Sequence, residues 1–401
     1  MKIKTDVREW WGPPREFTLE NPERKVSWLE LFYDLVYVIA ISRITHHLAA
    51  HFSLSSFLEY IYLFTMVYWG WLNGSLYYDL HGSEGLRTRL MTLWQIMIVA
   101  ALAITLESDP NHLVFNVSIT LLIMQFYITY LWWSVGVYDK NHARLSPTWT
   151  IPYLISALLI FGTLFLHRAY VLPILYISLL INYLPPFITQ KIHGETANSM
   201  VMSSSMSERL GLFTIIIFGE VILGIITAVD ASEDLSFNTW VKFALATGIT
   251  FALWWLFFTL VSDRHSKIGL VKSSWLQISY IPTLMALSIT GIAFSSFFGT
   301  PHAGEHATDH TFLFGCAIAI FLSGIVLMGN FLDYPTFSKR FKIQIRALVI
   351  AGALLIFGLV SLDWHITPLI QLILVLSILL LVILGLNYLW YSLQAKGKTN
   401  S

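Results

Sequence analysis

A single cysteine among 401 residues, Cys316, leaves this chain without an intrachain disulfide or a thiolate metal site. Charge is equally scarce. Only 12% of residues are charged, and 24 basic residues balance 24 acidic ones. A zero net charge gives no electrostatic footprint for nucleic acid. No Gly-x-Ser-x-Gly elbow, phosphate loop or His-Glu-x-x-His pair occurs, so the commonest hydrolase, nucleotide and zinc-protease signatures are missing. No motif calls for a cofactor. What remains is apolar: 56% hydrophobic and 15% aromatic residues, with a mean hydropathy of +0.66. Soluble domains average about 45–50% apolar and about 25% charged residues. The composition therefore predicts an all-α polytopic membrane protein.

Crossing a bilayer takes about 20 apolar residues. Twelve runs qualify, at about 28–50, 57–78, 89–107, 112–137, 149–167, 170–190, 208–229, 238–261, 273–298, 311–331, 345–362 and 366–392. The polar stretch before them shows no cleavable signal peptide, and the first apolar run is long enough to anchor itself. Lysine and arginine fall almost wholly on the side of the N-terminus: Arg87, Arg89, Lys140, Arg144, Lys191, Arg264, Lys267, Lys272, Lys339, Arg340, Lys342 and Arg346. The opposite loops hold Arg168 and the acids Glu107, Asp109, Asp230, Glu233, Asp234, Glu305 and Asp309. The positive-inside rule then places both termini in the cytoplasm of a bacterial plasma membrane.

Rare residues recur in one order. Tyr68-Trp69-Gly70-Trp71, Asp79-Leu80-His81 and Trp94-Gln95 are echoed by Trp254-Trp255, Asp263-Arg264-His265 and Trp275-Leu276-Gln277. The echo predicts two parallel six-helix repeats, with a site or pathway between them. The expected organisation is a cytoplasmic segment 1–27, repeats at 28–190 and 208–392, and a cytoplasmic tail 393–401.

Ionisable residues inside apolar runs are costly and mark functional positions by default. In the first run Glu30 and Asp34 lie one turn apart on one face. Arg43 and His47 form a second pair on the opposite face, about 13 Å further along. In the seventh run Glu208 and Arg209 stand at the mouth, and Glu220 lies about 18 Å deeper, close to the midplane. Either these seven residues form a polar centre for protons or cations, or they make interhelical salt bridges, with Arg209 or Arg346 as the cation. Asp79, His81, Asp263 and His265 end their helices and suggest a cytoplasmic gate, or only the polar caps common at helix ends. Gln95 and Gln277 are expected to bond between helices. Most Trp and Tyr residues are expected at the lipid interface, with an aromatic lining such as Trp69, Trp71, Trp254 and Trp255 as the second choice. His302, His306 and His310 recur at intervals of four and would share a helical face able to bind a metal, although Pro301 and Gly304 oppose a helix there.

The string Glu30-Leu31-Phe32-Tyr33-Asp34-Leu35-Val36-Tyr37-Val38, with Glu208-Arg209 and Phe218-Gly219-Glu220, resembles the bacterial low temperature requirement A (LtrA) family over about residues 20–390. That resemblance implies an integral membrane protein and supplies no biochemical activity. Phe32-Tyr33-Asp34 is also similar to the opening helix of a potassium and proton channel family with six-span repeats. Its Arg-x-x-x-Phe-Ser-Asp motif is matched incompletely: Tyr33 stands for Ser, and Trp28 for Arg. The sequence thus points to a transporter or channel for protons or cations, alone or with a small solute, embedded in lipid. A homo-oligomer is compatible with it. The alternatives are a membrane-embedded metal-dependent enzyme acting on lipid, or a structural or regulatory membrane protein of the cold response.

Overall fold

The computed structural model describes residues 25–82, 85–108, 110–139, 143–198, 202–232, 235–262, 264–298, 307–334, 339–361 and 367–399. In chain order the helices are α1 Trp28–Ala50, α2 Leu54–His81, α3 Leu86–Thr105, α4 Pro110–Tyr138, α5 Ser146–Thr163, α6 Arg168–Asn182, α7 Pro185–Asn198, α8 Ser204–Asp230, α9 Phe237–Phe257, α10 Leu270–Ala293, α11 Ala307–Met328, α12 Lys339–Ser361 and α13 Pro368–Thr399. Among the described residues the only extended pairing is one antiparallel bridge, Ser266 with Leu332. Each of the twelve expected apolar runs falls on a helix, with α6 and α7 sharing the sixth. Among the described residues, eight helical stretches are long and apolar enough to cross a membrane by length and composition. This is an all-α, polytopic membrane protein.

Local chemistry sets the helix ends. Ser27 caps α1: its hydroxyl accepts from the Glu30 N–H at 3.3 Å, and Glu30 returns a carboxylate to the Ser27 N–H at 2.9 Å. Ser53 and Ser236 cap α2 and α9 in the same way, through the N–H groups of Ser56 and Thr239. Pro185 stops α6, because a residue before proline is pushed out of the helical region.

By internal contacts the chain divides into two units, residues 1–213 with 268–274, and 214–267 with 275–401. In the first, α2 is buried on every side from Met66 to Ser75. It packs against α1, α4 and α6, while α3, α4, α5 and α6 pack in sequence. The acid-bearing α1 is not central. It instead turns Trp28, Phe32, Leu35 and Ile39, spaced at helical intervals, outward. In the second unit α9 packs on α13, α13 on α12 and α12 on α11.

Candidate functional site

Three of the seven polar-centre residues come together in the first unit. Arg209 reaches Asp34 at two points, Nη2 to Oδ1 at 2.5 Å and Nε to Oδ2 at 3.3 Å. This is the strong two-point geometry of a guanidinium on a carboxylate. Its Nη1 lies 3.6 Å from Glu30 Oε1, an ion contact without a hydrogen bond. The Trp71 indole donates to Asp34 Oδ1 at 2.7 Å. Arg209 also lies over the rings of Tyr33 and Trp71, 5.5 and 5.9 Å from their centroids. Asp34 is 0% exposed and Arg209 1%. Two acids thus surround one arginine in a buried aromatic box. Trp69 and Trp71 are fully buried, away from any lipid interface, and their N–H groups find acceptors inside. Trp254 and Trp255 do stand partly exposed.

The other four residues lie elsewhere. Arg43 pairs with Glu107 at an exposed helix end, a contact worth little. His47 lies against His51, its ring tilted to the other, and lines a cavity of about 90 Å³ with Glu59, Tyr62, Ser118 and Arg168. Glu208 is exposed. Glu220 is half-buried in the second unit, beside Gly219, around which there is open space.

Sequence reasoning missed a polar stripe along α2. Tyr62, Met66, Trp69, Asn73, Tyr77 and His81 recur every three or four residues, so they share one face over about 28 Å. Asn182 of α6 and Gln125 of α4 exchange amide hydrogen bonds at 2.9 and 3.0 Å beside Met66 and Trp69. Tyr153 of α5 donates to Asn73 Oδ1 at 2.5 Å, and Gln125 donates to the Tyr153 carbonyl at 3.0 Å. Tyr77 meets Ser134 at 3.4 Å. At the far end His81 Nδ1 lies 3.5 Å from Asp139, both side chains shut from solvent, and Ser205 donates to Asp79 at 2.5 Å. Beside the stripe the Trp132 and Trp149 indoles stack at 4.2 Å, and neither N–H has a hydrogen-bond partner. The Ser156 hydroxyl is in the same state. Buried groups of this kind are costly unless a water or a solute satisfies them.

The family model described as "Bacterial low temperature requirement A protein (LtrA)" matches residues 25–384. The chain belongs to the LtrA family. Among curated proteins, an uncharacterized protein of Rhizobium meliloti (strain 1021) is 26% identical over 275 residues, 60% of each chain. The chain therefore spans less than two thirds of the length of the curated relative it matches. Membership in a bacterial family, together with several membrane-spanning helices, is consistent with the plasma membrane.

The motif that marks LtrA kinship is thus also the one that builds the ion cluster, through Glu30, Asp34 and Arg209. Gln95 bonds between helices as expected, donating to the Tyr37 hydroxyl at 2.8 Å and the Gly70 carbonyl at 3.0 Å. His265, in the second unit, is exposed. Asp263, His302 and His306 lie outside the described residues, as does the side chain of His310. Among the described residues no group of three or more His, Cys, Asp or Glu could hold a metal ion.

Proposed function

We propose that this LtrA protein is a transporter or channel that moves protons or small cations, alone or with a small solute, along the polar stripe of α2. Supporting this is the continuity of the stripe. It begins at the cavity of His47, Glu59 and Arg168, passes the Asn182–Gln125 pair and ends at His81 and Asp139. Its length of about 28 Å matches a hydrocarbon core of about 30 Å. Polar side chains that hydrogen-bond in a row can hand on a proton or replace the water around a cation. The orphaned indole and hydroxyl groups give a permeating species further partners.

The Glu30–Asp34–Arg209 cluster takes a different part in this proposal. Its Arg209–Asp34 pair is already matched in charge and buried, so a passing cation would have to break a strong pair. It is a clamp that fixes α1 and the start of α8 against α2. Both termini then lie in the cytoplasm, by the lysine and arginine count.

Purified protein in liposomes tests the route. A pH or potassium gradient should drive flux through the wild type. The double variant Gln125→Leu/Asn182→Leu removes both members of the amide pair and leaves neither orphaned. Flux should fall by at least about tenfold, the effect of roughly 1.4 kcal/mol of added barrier. Undiminished flux in that variant removes the stripe from the route. A wild type silent under both gradients favours the packing role that the sealed cluster also fits.

A further inference from the structure

The cavity at the start of the α2 stripe combines charges of both signs with an apolar wall. Its charged residues come from three helices of the first unit. His47 lies in the last turn of α1, Glu59 in the second turn of α2, and Arg168 opens α6. His47 lies within electrostatic reach of Glu59 and of His51. Glu59 accepts a long contact, 3.5 Å, from the Ser55 hydroxyl. Among the described residues no ion pair joins Glu59 to Arg168, although both line the same space. Nearby, Arg43 and Glu107 pair with each other and line no part of it.

Further along the helices the wall turns apolar. Leu63 stands one turn beyond Glu59, and Val171 and Leu175 stand one and two turns beyond Arg168, about 5 and 10 Å along the axis. Val117 of α4 completes this wall, and all four are buried. Ser118 adds a hydroxyl from α4. The volume of about 90 Å³ compares with about 10–15 Å³ for one water, so there is room for about six to nine water-sized atoms. A plain cation here would face Arg168, and a plain anion would face Glu59. A long acyl chain would overfill the space. Both charges are answered by a ligand that carries an ammonium and a carboxylate at one end and a short hydrocarbon at the other.

We propose that this cavity binds a free α-amino acid with a small branched aliphatic side chain, of the size of valine. The Arg168 guanidinium takes the carboxylate, at two points where its fork is free to turn. His47 offers the same carboxylate a ring N–H in either protonation state. Glu59 takes the ammonium. The side chain lies against Leu63, Val117, Val171 and Leu175. The cavity opens the α2 stripe, so this amino acid is the small solute of the transport proposal. That last step rests on the transport reading, whereas binding in the cavity does not.

Full-length protein in neutral detergent, titrated with L-valine in a calorimeter, tests the site. Binding should be saturable. Isovalerate, which lacks the ammonium, and isobutylamine, which lacks the carboxylate, should each bind at least about tenfold more weakly. Glu59→Gln and Arg168→Gln should each weaken valine by about ten- to hundredfold, the worth of a hydrogen bond to a charged group. Arg168 is exposed and Glu59 partly so, and both variants should keep the fold. Val117→Phe fills the cavity without touching a charge and should also lose valine. Arg43→Gln removes a nearby charge that lines no part of the cavity and should keep it. Absence of saturable valine binding overturns the site, as does equal binding of isovalerate or isobutylamine. Equal loss in Arg43→Gln overturns it too, since the attraction would then be diffuse. Uptake of labelled valine into liposomes separates the two readings. Binding without uptake keeps the site and removes it from the route, whereas proton or potassium flux with no valine binding keeps the route and overturns the site.

Discussion

Arg209→Met is expected to lower stability by about 3–5 kcal/mol, the cost of leaving one member of a buried ion pair alone. Asp34 would keep the Trp71 hydrogen bond and lose both guanidinium contacts in a site that is 0% exposed. Asp34→Asn should destabilise as well, because Arg209 would lose its near counter-charge and keep only the more distant acid, Glu30 at 3.6 Å. The informative variant is the double one, Asp34→Leu with Arg209→Met. Replacing a whole buried pair with apolar groups of similar volume is often neutral or stabilising. The double variant should therefore melt well above either single one. An ordinary interhelical hydrogen bond in a membrane protein averages only about 0.6 kcal/mol. Losses of that size in the single variants, with no recovery in the double, would show that the cluster is not a clamp. Melting curves in detergent, read as a double-mutant cycle, decide it.

Part of this is legible in the sequence. Twelve apolar runs forced the helices, since a backbone in lipid must satisfy its own hydrogen bonds. Charges within those runs had to find each other, and that logic brought Arg209 to Asp34. It did not separate the pairs that needed burial from those that did not. Arg43 and Glu107 sit near helix ends, where water is close. Their charges carry little energetic demand, so the pattern of the first run overstated Arg43. The α2 stripe escaped for another reason. Asn73, Gln125, Tyr153 and Asn182 are uncharged and cost little individually, so none stands out in an apolar run. Only the spacing of Tyr62, Trp69, Asn73, Tyr77 and His81 carried a signal, and a 3.6-residue period in α2 was there to be counted. Asp139 was visible as an acid at a helix end. Its pairing with His81 required knowing that α4 lies beside α2, which depends on packing between residues 58 positions apart.

Gly224→Leu is expected to destabilise the second unit by about 1–3 kcal/mol or more, whereas Gly219→Leu, five residues earlier on α8, should not. The two glycines differ in what a side chain would meet. A Cβ on Gly224 would stand 2.9 Å from the Gly291 carbonyl oxygen, and one on Gly291 would stand 3.2 Å from Val221 Cα. Here α8 and α10 cross backbone to backbone, the close approach that small residues permit between membrane helices. Backbone cannot rotate aside as a side chain can, so the helices must part. A Cβ on Gly219 meets nothing within 4 Å. Leucine there gains helix propensity, up to about 1 kcal/mol over glycine. Glu220 lies next to that open position, so Gly219→Leu also probes whether a solute approaches the acid. Unchanged melting with reduced flux would give Glu220 a share in transport. Unchanged melting with unchanged flux would leave that acid outside the route. A Gly224→Leu protein that melts with the wild type would sink the account of the helix crossing itself.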